Sequence, residues 1–567
     1  MIVLDIETNK AHTKIWMVCV KNLKTGITEC HTEASTLKSL IEHSELIIGQ
    51  NLIGFDVPVL AKCWGIQIPL TKIFDTLIVS RLLRPDRPGG HSLESWGIRL
   101  GDKKQDYPSE YKAWFKELMG EEALFDVGMA WDCPNLTLME EYCRQDVNLT
   151  EKLYRHLLKE KESTNFSDYS VEIEHKVAAI VAQQERNGVL FNEKAAMLLH
   201  AQVSDELSKM EKDLANQFEP TVIQLKTKTK VIPFNPGSRV QIIDRLIARG
   251  WKPKELTEKG NVILDEEILE SMDIPEAKVF LRYFELQKIA SFLKNWLDKL
   301  EPDGRIHGKV ITNGAVTGRM THSVPNLGQV PSAKTELGKA CRALFVVPED
   351  SCLVGIDAEG LELRMLAHYM QDPAYIEAVS NGDKKAGTDV HSVNQRAVGL
   401  QSRDDAKTFI YAYLYGAGDS KIGEIVKGTA KDGKRLKDQF LKATPALKNL
   451  RDKITRMAAK GTLPGLDGRR LYVRSPHKAL NTLLQGAGAL VMKVGLILFT
   501  EALERAAIPF KHVLNVHDEW QVETPMEFGE IVGKLGRQAI IDAGVLLKLR
   551  CPLDGEYKIG RNWYETH

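Results

Sequence analysis

Long uninterrupted hydrophobic runs are missing from this 567-residue chain. Its most apolar stretch, Gly488 to Leu503, is broken by Lys493, Thr500 and Glu501, so no membrane segment is expected. The N-terminus lacks a basic leader and a small-residue cleavage site, and its apolar residues Ile2 to Ile6 are interrupted by Asp5 and followed by Glu7, so a secretory signal is not expected. None of the eight cysteines forms a CxxC pair, so neither a disulfide framework nor a zinc site is expected, and the compartment reads as cytosolic. Repeats and low-complexity tracts are absent, which removes solenoids and propellers. Net charge is also missing: 76 Lys and Arg balance 76 Asp and Glu, which argues against a simple basic nucleic-acid binder. The remaining composition is that of a folded globular protein of about three to five domains.

The charge is unevenly distributed. Residues 1–170 hold 20 basic and 25 acidic side chains, leaving 56 and 51 for the rest. The acidic front suits divalent metal and the basic back suits phosphates, although the excess is small in each direction. Short apolar runs (Ile2 to Ile6, Leu46 to Ile48, Ile73 to Leu83) alternate with helical patterns such as Leu136 to Leu158, an α/β reading. The polar segment Lys159 to Ser170 reads as a linker. Helices are expected over Ile173–Arg186, Glu193–Phe218, Arg239–Gly250 and Pro275–Leu300, and mixed α/β structure from Gly308 onward.

Asp5 and Glu7 stand two residues apart on the opening strand, hence on one face. Alone, such a pair is more often a solvated strand end. Asn51 to Asp56 follows a second apolar strand, and Tyr142 precedes Asp146 by one helical turn. In order and spacing the three segments resemble the DxE, Nx3FD and Yx3D motifs of DEDDy 3′→5′ exonucleases, which have an RNase H-like fold. That resemblance implies Asp5, Glu7, Asp56 and Asp146 as metal ligands, with Tyr142 orienting the attacking water. Phosphodiester hydrolysis is served by two divalent ions about 3.5–4 Å apart, and hard oxygen donors suit Mg²⁺ or Mn²⁺. The bland alternative is a fold that has lost its catalysis.

A second group lies further on. Leu353 to Arg364 reads as a buried strand ending at Asp357, a turn and a helix, and Val513 to Val522 as two strands joined by His517-Asp518-Glu519. An acidic turn is commonly a solvated hairpin, but apolar residues flank these acids closely. Arg403, Lys407, Tyr411 and Tyr415 recur every fourth residue and form one helical stripe, while Phe409, Ile410, Tyr413 and Leu414 fill the other surface. The bland reading is a solvated basic face. The functional one has Arg403 and Lys407 neutralising a triphosphate beside two planar rings.

The segments DAEGLELR, Rx3Kx3Yx3YG and VHDE, in this order, resemble motifs A, B and C of family A DNA polymerases. NGAVTGRMTHSVPNLGQVP and SPHKALNTLLQ agree, and the wording is most similar to replicative polymerases of short-tailed phages, over essentially the whole chain. The resemblance implies a multidomain α/β and α+β protein in which the exonuclease (1–165) precedes a right hand: thumb and start of palm at 171–310, palm at 311–375, fingers at 376–464 and palm at 465–567. It implies two Mg²⁺ per active site, replaceable by Mn²⁺, with Asp357, Ala358 and Asp518 as the second metal-binding set and Glu519 nearby. His391, Arg403 and Lys407 are implied at the incoming triphosphate, and Tyr411 with Glu362 at its sugar. Arg319, Asn481, Gln485 and His517 are implied at the minor groove or primer end, and Tyr415 at the templating position. The implied partners are primer-template DNA, dNTPs, a phage helicase-primase and a single-stranded DNA-binding protein, in the host bacterial cytoplasm.

Two features depart from the family. Glu359 brings an unexplained charge into motif A. The span from Phe218 to Phe234 is too short for the long thumb loop that recruits thioredoxin in some phage relatives, so thioredoxin is not an expected partner. Grip on DNA then falls to Lys226, Lys228, Lys230, Arg239 and Arg245. The rivals are a single-subunit RNA polymerase, disfavoured by Glu362 and the exonuclease motifs, and a non-catalytic DNA-binding scaffold, disfavoured by the retained carboxylates.

Overall fold

The structure is a computed structural model that describes residues 1–224, 229–253, 256–257 and 259–567; Lys226 and Lys228 lie outside the described residues. Two compact units result. The first comprises residues 1–187, 310–322 and 354–559, and the second residues 188–309, 323–353 and 560–567.

The first unit opens with a five-stranded mixed sheet. Strands β1 (Ile2–Thr8), β2 (Ile15–Asn22), β3 (Thr28–His31), β4 (Ile47–Gly49) and β5 (Ile73–Asp75) lie in the order β3-β2-β1-β4-β5. The first three pair antiparallel, whereas β4 runs parallel to both β1 and β5. Central β1 is buried on both faces, so its sequence is almost continuously apolar and its two acids stand out. Helices α1 (Asp56–Trp64) and α2 (Leu136–Ser163) follow, with Tyr107, Met139, Cys143 and Val147 packed against Val3 and Ile48. The run Ile73 to Leu83 is not one strand: β5 ends at Asp75, whose carboxylate caps the helix Thr76–Leu83.

Two expectations are corrected here. Cys19 and Cys30 form a disulfide, because the β2–β3 register sets them directly opposite each other, a proximity that no sequence spacing announces. The segment read as a linker is mostly helix: α2 continues to Ser163 and α3 (Asp168–Asn187) resumes after a short break. A polar surface on a long helix resembles a linker in sequence.

Later in the same unit, β6 (Ser351–Ala358), β7 (Lys511–Val516), β8 (Glu519–Pro525) and β9 (Gly555–Gly560) form a sheet ordered β7-β8-β6-β9. The same unit holds α4 (Leu361–Met370), α5 (Val390–Val398), α6 (Arg403–Leu414) and α7 (Ala479–Arg505), with α4 packed on α7 and α5 on α6. By length and composition α7 could cross a membrane, but it is a core helix with most of its side chains buried. Among the described residues no other helix has that length and composition.

In the second unit the helices Glu193–Gln217 and Pro275–Asp298 pack together. Phe218 and Phe234 meet at 4.7 Å between ring centroids, in a cluster with Phe280. Between them Thr221–Gln224 pairs antiparallel with Thr229–Ile232, where Lys230 is exposed.

Candidate active sites

At the N-terminal site, β1 places Asp5 and Glu7 on one face, and oxygens of both lie with Cys143 Sγ inside a 4.8 Å cluster. Asp56 reaches the same place from the first position of α1, and Asp146 from α2, one turn beyond Tyr142. Burial pushes Asp5 up to about 7 and Asp146 up to about 6, and it raises Glu7 and Asp56 well above their ordinary values. After burial, repulsion from Asp146 acts on Asp5, and from Asp5 on Glu7 and Asp56. The sequence-selected acids are therefore assembled as a crowded, buried carboxyl cluster that holds protons more tightly than free carboxylates do.

Two further residues, Lys104 and Asp75, shape this site and escaped sequence reasoning. Lys104 Nζ contacts Asp146 Oδ2 at 2.5 Å and lies 4.5 Å from the Tyr142 ring centre. Its loop is tied to α2 by Gln105 N donating to Gln145 Oε1 at 2.7 Å. Asp75, fully buried, accepts from Asn51 N and Ile53 N at 3.0 Å and so holds the turn that delivers Asp56. Phe55 lines a cleft of about 370 Å³ beside Glu7, together with His12 and Trp131. Phe55 was visible in the sequence as the aromatic of the Nx3FD motif; a lysine in an irregular loop was not.

The residues fit hard divalent cations. Four carboxylates face Lys104, and Asp146 Oδ1 is buried with no hydrogen-bond partner among the described residues. Burial pushes the Cys143 thiol up, which leaves it a poor ligand beside these oxygens.

At the second site, β6 ends with Asp357 and Ala358, and Ala358 N donates to Asp518 O at 3.1 Å. That bond ties the strand end to the β7–β8 turn, where His517 adopts φ 58° and is exposed. Burial and then Asp518 push Asp357 up to about 8; burial and then Glu362 raise Asp518. Glu519 is buried on β8 and accepts from Gln521. Paired half-buried carboxylates of this kind again suit a hard divalent cation.

Glu362, on the first turn of α4, accepts from Arg319 Nη2 at 3.1 Å and Tyr415 Oη at 3.0 Å. Tyr411 is close enough for Glu362 to raise its phenol, after burial, but Tyr415 takes the hydrogen bond. On α6, Phe409, Ile410, Tyr413 and Leu414 are buried, and the stripe through Arg403, Lys407 and Tyr411 is left accessible. Asp389 caps α5 and holds Arg403 at 2.8 Å. His391 follows it, 6.3 Å from the Tyr411 ring; burial and then Arg403 and Lys407 lower its pKa. Asn481 and Gln485 are partly exposed at i and i+4 of the otherwise buried α7. The unexplained Glu359 pairs with Arg364 at 3.0 Å, so its charge is compensated locally.

With this geometry in hand, comparison with known proteins gives consistent matches. The family model for DNA polymerase family A matches residues 204–565, and that for a 3′→5′ exonuclease matches residues 4–162. The DNA-directed DNA polymerases of Enterobacteria phage T3 and Escherichia phage T7 are each 33% identical over 669 aligned positions, covering 94% of this chain and 94% of theirs. DNA polymerase I of Aquifex aeolicus is 27% identical over 91% of this chain and 88% of its own. A solved structure of the POL domain of Pol1 from M. smegmatis, in complex with DNA primer-template and dNTP, shares the fold with TM-score 0.80 at 19% identity, covering 100% of this chain and 96% of that one.

Proposed function

We infer the reaction from one premise: the chain belongs to DNA polymerase family A and carries a 3′→5′ exonuclease domain ahead of its polymerase region. It is a DNA-directed DNA polymerase that extends a primer 3′ end and hydrolyses 3′ termini, with phage-like relatives. The observation that carries the polymerase reading is the Ala358–Asp518 backbone bond, which brings the two motif carboxylates Asp357 and Asp518 to one sheet edge.

The residue roles are our proposal. Asp5, Glu7, Asp56 and Asp146 would hold divalent cations at one site, and Asp357, Asp518 and the Ala358 carbonyl at the other. Mg²⁺ is the expected ion, with Mn²⁺ able to substitute. Such ions, when bound, supply activation of the attacking oxygen and charge stabilisation of the leaving one. Arg403, Lys407 and His391 bind the triphosphate, and Asp389 pre-aims Arg403. Glu362 with Tyr411 closes the space beside the sugar 2′ carbon, while Tyr415 stacks at the templating position. Arg319, Asn481, Gln485 and His517 contact the primer end and minor groove, and Glu519 supports the Asp518 turn. In the exonuclease, Tyr142 orients the attacking water and the aromatic cleft beside Glu7 takes the terminal nucleotide.

We keep the five-part division at residues 165, 310, 375 and 464 as the working domain map. We also propose phage genome replication in a bacterial host's cytoplasm, alongside a helicase-primase and a single-stranded DNA-binding protein. A single-subunit RNA polymerase is the reading to exclude. Primer extension with dNTPs, with rNTPs, without nucleotide and with chelator tests the assignment. Metal-dependent extension with dNTPs and shortening without nucleotide are expected; extension with rNTPs alone would overturn it.

A further inference from the structure

Beneath the second site lies a buried group of charges that neither reaction uses. Lys493, in the middle of α7 and 1% exposed, donates to Glu174 Oε1 at 2.7 Å and to Asn313 Oδ1 at 2.8 Å. Glu174, on α3, is fully buried, and its Oε1 also takes Arg469 Nη1 at 2.7 Å. Arg469 in turn holds Asp467 at 2.8 Å. A buried ion pair of this kind adds little net stability, because desolvation offsets the attraction; what it fixes is geometry. Here it fixes Asn313.

Asn313 begins the segment that carries Arg319. Gly318 N donates to Ala315 O at 2.8 Å and Ala315 N to Arg319 O at 3.2 Å, so the intervening residues form a tight turn. The turn sits on the charged group: a Cβ on Gly318, whose φ is 75°, would stand 3.2 Å from Arg469 Nη1 and 3.8 Å from Asn313 Oδ1. On its other side Gly486 of α7 approaches Thr317 O. Past the turn, Arg319 meets Glu362, and Glu362 meets Tyr415. One chain of contacts thus runs Glu174, Lys493, Asn313, turn, Arg319, Glu362.

We propose that Lys493, anchored by Glu174, is a positioning residue for Arg319: through Asn313 it sets the Ala315–Arg319 turn and so the place of the guanidinium beside Glu362 and the primer end. This rests on the reading of Arg319 as a primer-end contact. Spatial continuity alone does not demonstrate coupling, so the test is a pair of mutant cycles. Single-nucleotide insertion on matched and mismatched primer ends is measured for Lys493→Met, Asn313→Ala, Arg319→Ala and the two doubles with Arg319→Ala. Asn313→Ala leaves the Glu174, Lys493 and Arg469 pairs in place, so it reports on the link even where Lys493→Met lowers folding.

Each single variant should lose roughly tenfold in kcat/KM, about 1.4 kcal/mol, and shift the matched-to-mismatched ratio in the direction Arg319→Ala shifts it. The doubles should be no slower than Arg319→Ala alone, with excision of single-stranded 3′ ends unchanged. Losses that multiply in both doubles, with Arg319→Ala itself impaired, would overturn the coupling only. An Arg319→Ala enzyme with wild-type insertion would overturn the reading of Arg319 and the inference with it.

Discussion

Tyr415 Oη donates to Glu362 Oε1 at 3.0 Å, and the same oxygen receives Arg319 Nη2. Glu362 is thereby pinned on two sides, and on the proposed placement of the sugar a 2′-hydroxyl would enter beside it. Truncating it to Ala should raise ribonucleotide incorporation relative to deoxynucleotide by roughly 10- to 200-fold, the range of 1–3 kcal/mol of pocket discrimination. Tyr411→Phe should instead sharpen rejection of dideoxynucleotides. Single-turnover insertion of each sugar type measures both, and unchanged preferences in both variants would misplace α6.

Lys104 contacts Asp146, one of the carboxylates proposed to hold a divalent cation. Removing its charge should tighten metal binding at the exonuclease, because one local positive charge no longer repels the ion. Lys104→Met should therefore lower the Mg²⁺ concentration that half-saturates excision by several-fold and leave the Mg²⁺ dependence of extension unchanged. A magnesium titration of both activities checks this; a higher midpoint for excision would contradict it.

Stability of the metal-free protein should fall as pH rises. Burial and then repulsion from Asp146 raise Asp5 to about 7, and burial raises Asp146 to about 6 against the opposing pull of Lys104, so the native state still binds protons that the unfolded chain has released. For these two groups the destabilisation is absent below the ordinary carboxylate range and complete above pH 7, and Asp357, pushed up to about 8, extends it further. Thermal melts in chelator should drop by several degrees between pH 5 and pH 8, given roughly 2–4 °C per kcal/mol. Mg²⁺ should recover most of that loss at pH 8, and the Asp5→Ala, Glu7→Ala double variant should flatten the pH slope. A flat profile in the parent protein would contradict the clustered burial of these acids.

The span from Phe218 to Phe234 holds too few residues for a long thioredoxin-recruiting loop. Thioredoxin should therefore leave the product length per binding event unchanged, and that length should shorten with salt as basic contacts are screened. A DNA-trap assay across a salt series measures it, and a large lengthening by thioredoxin would contradict the account.

The sequence exposed whatever depends on local pattern. Asp5 and Glu7 stood out because β1 is otherwise apolar, and the α6 stripe followed from a four-residue recurrence that leaves Phe409 and Ile410 inside. What stayed hidden depends on partners remote in the chain. Lys104 lies in an irregular loop, Asp389 precedes Arg403 by fourteen residues, and Cys19 meets Cys30 only through strand register. Lys493 read as an interruption of an apolar run and proved to be its buried anchor. The supposed linker at 159–170 failed because a solvated helix surface and a linker share a composition.

The most direct test of two separate active sites on one chain is to inactivate each and measure both reactions on the same primer-template. Asp5→Ala with Glu7→Ala should cost excision several factors of ten and leave extension within a few-fold of wild type; Asp518→Asn should do the reverse. A single one of these variants that remained folded by circular dichroism and lost both activities would contradict the account.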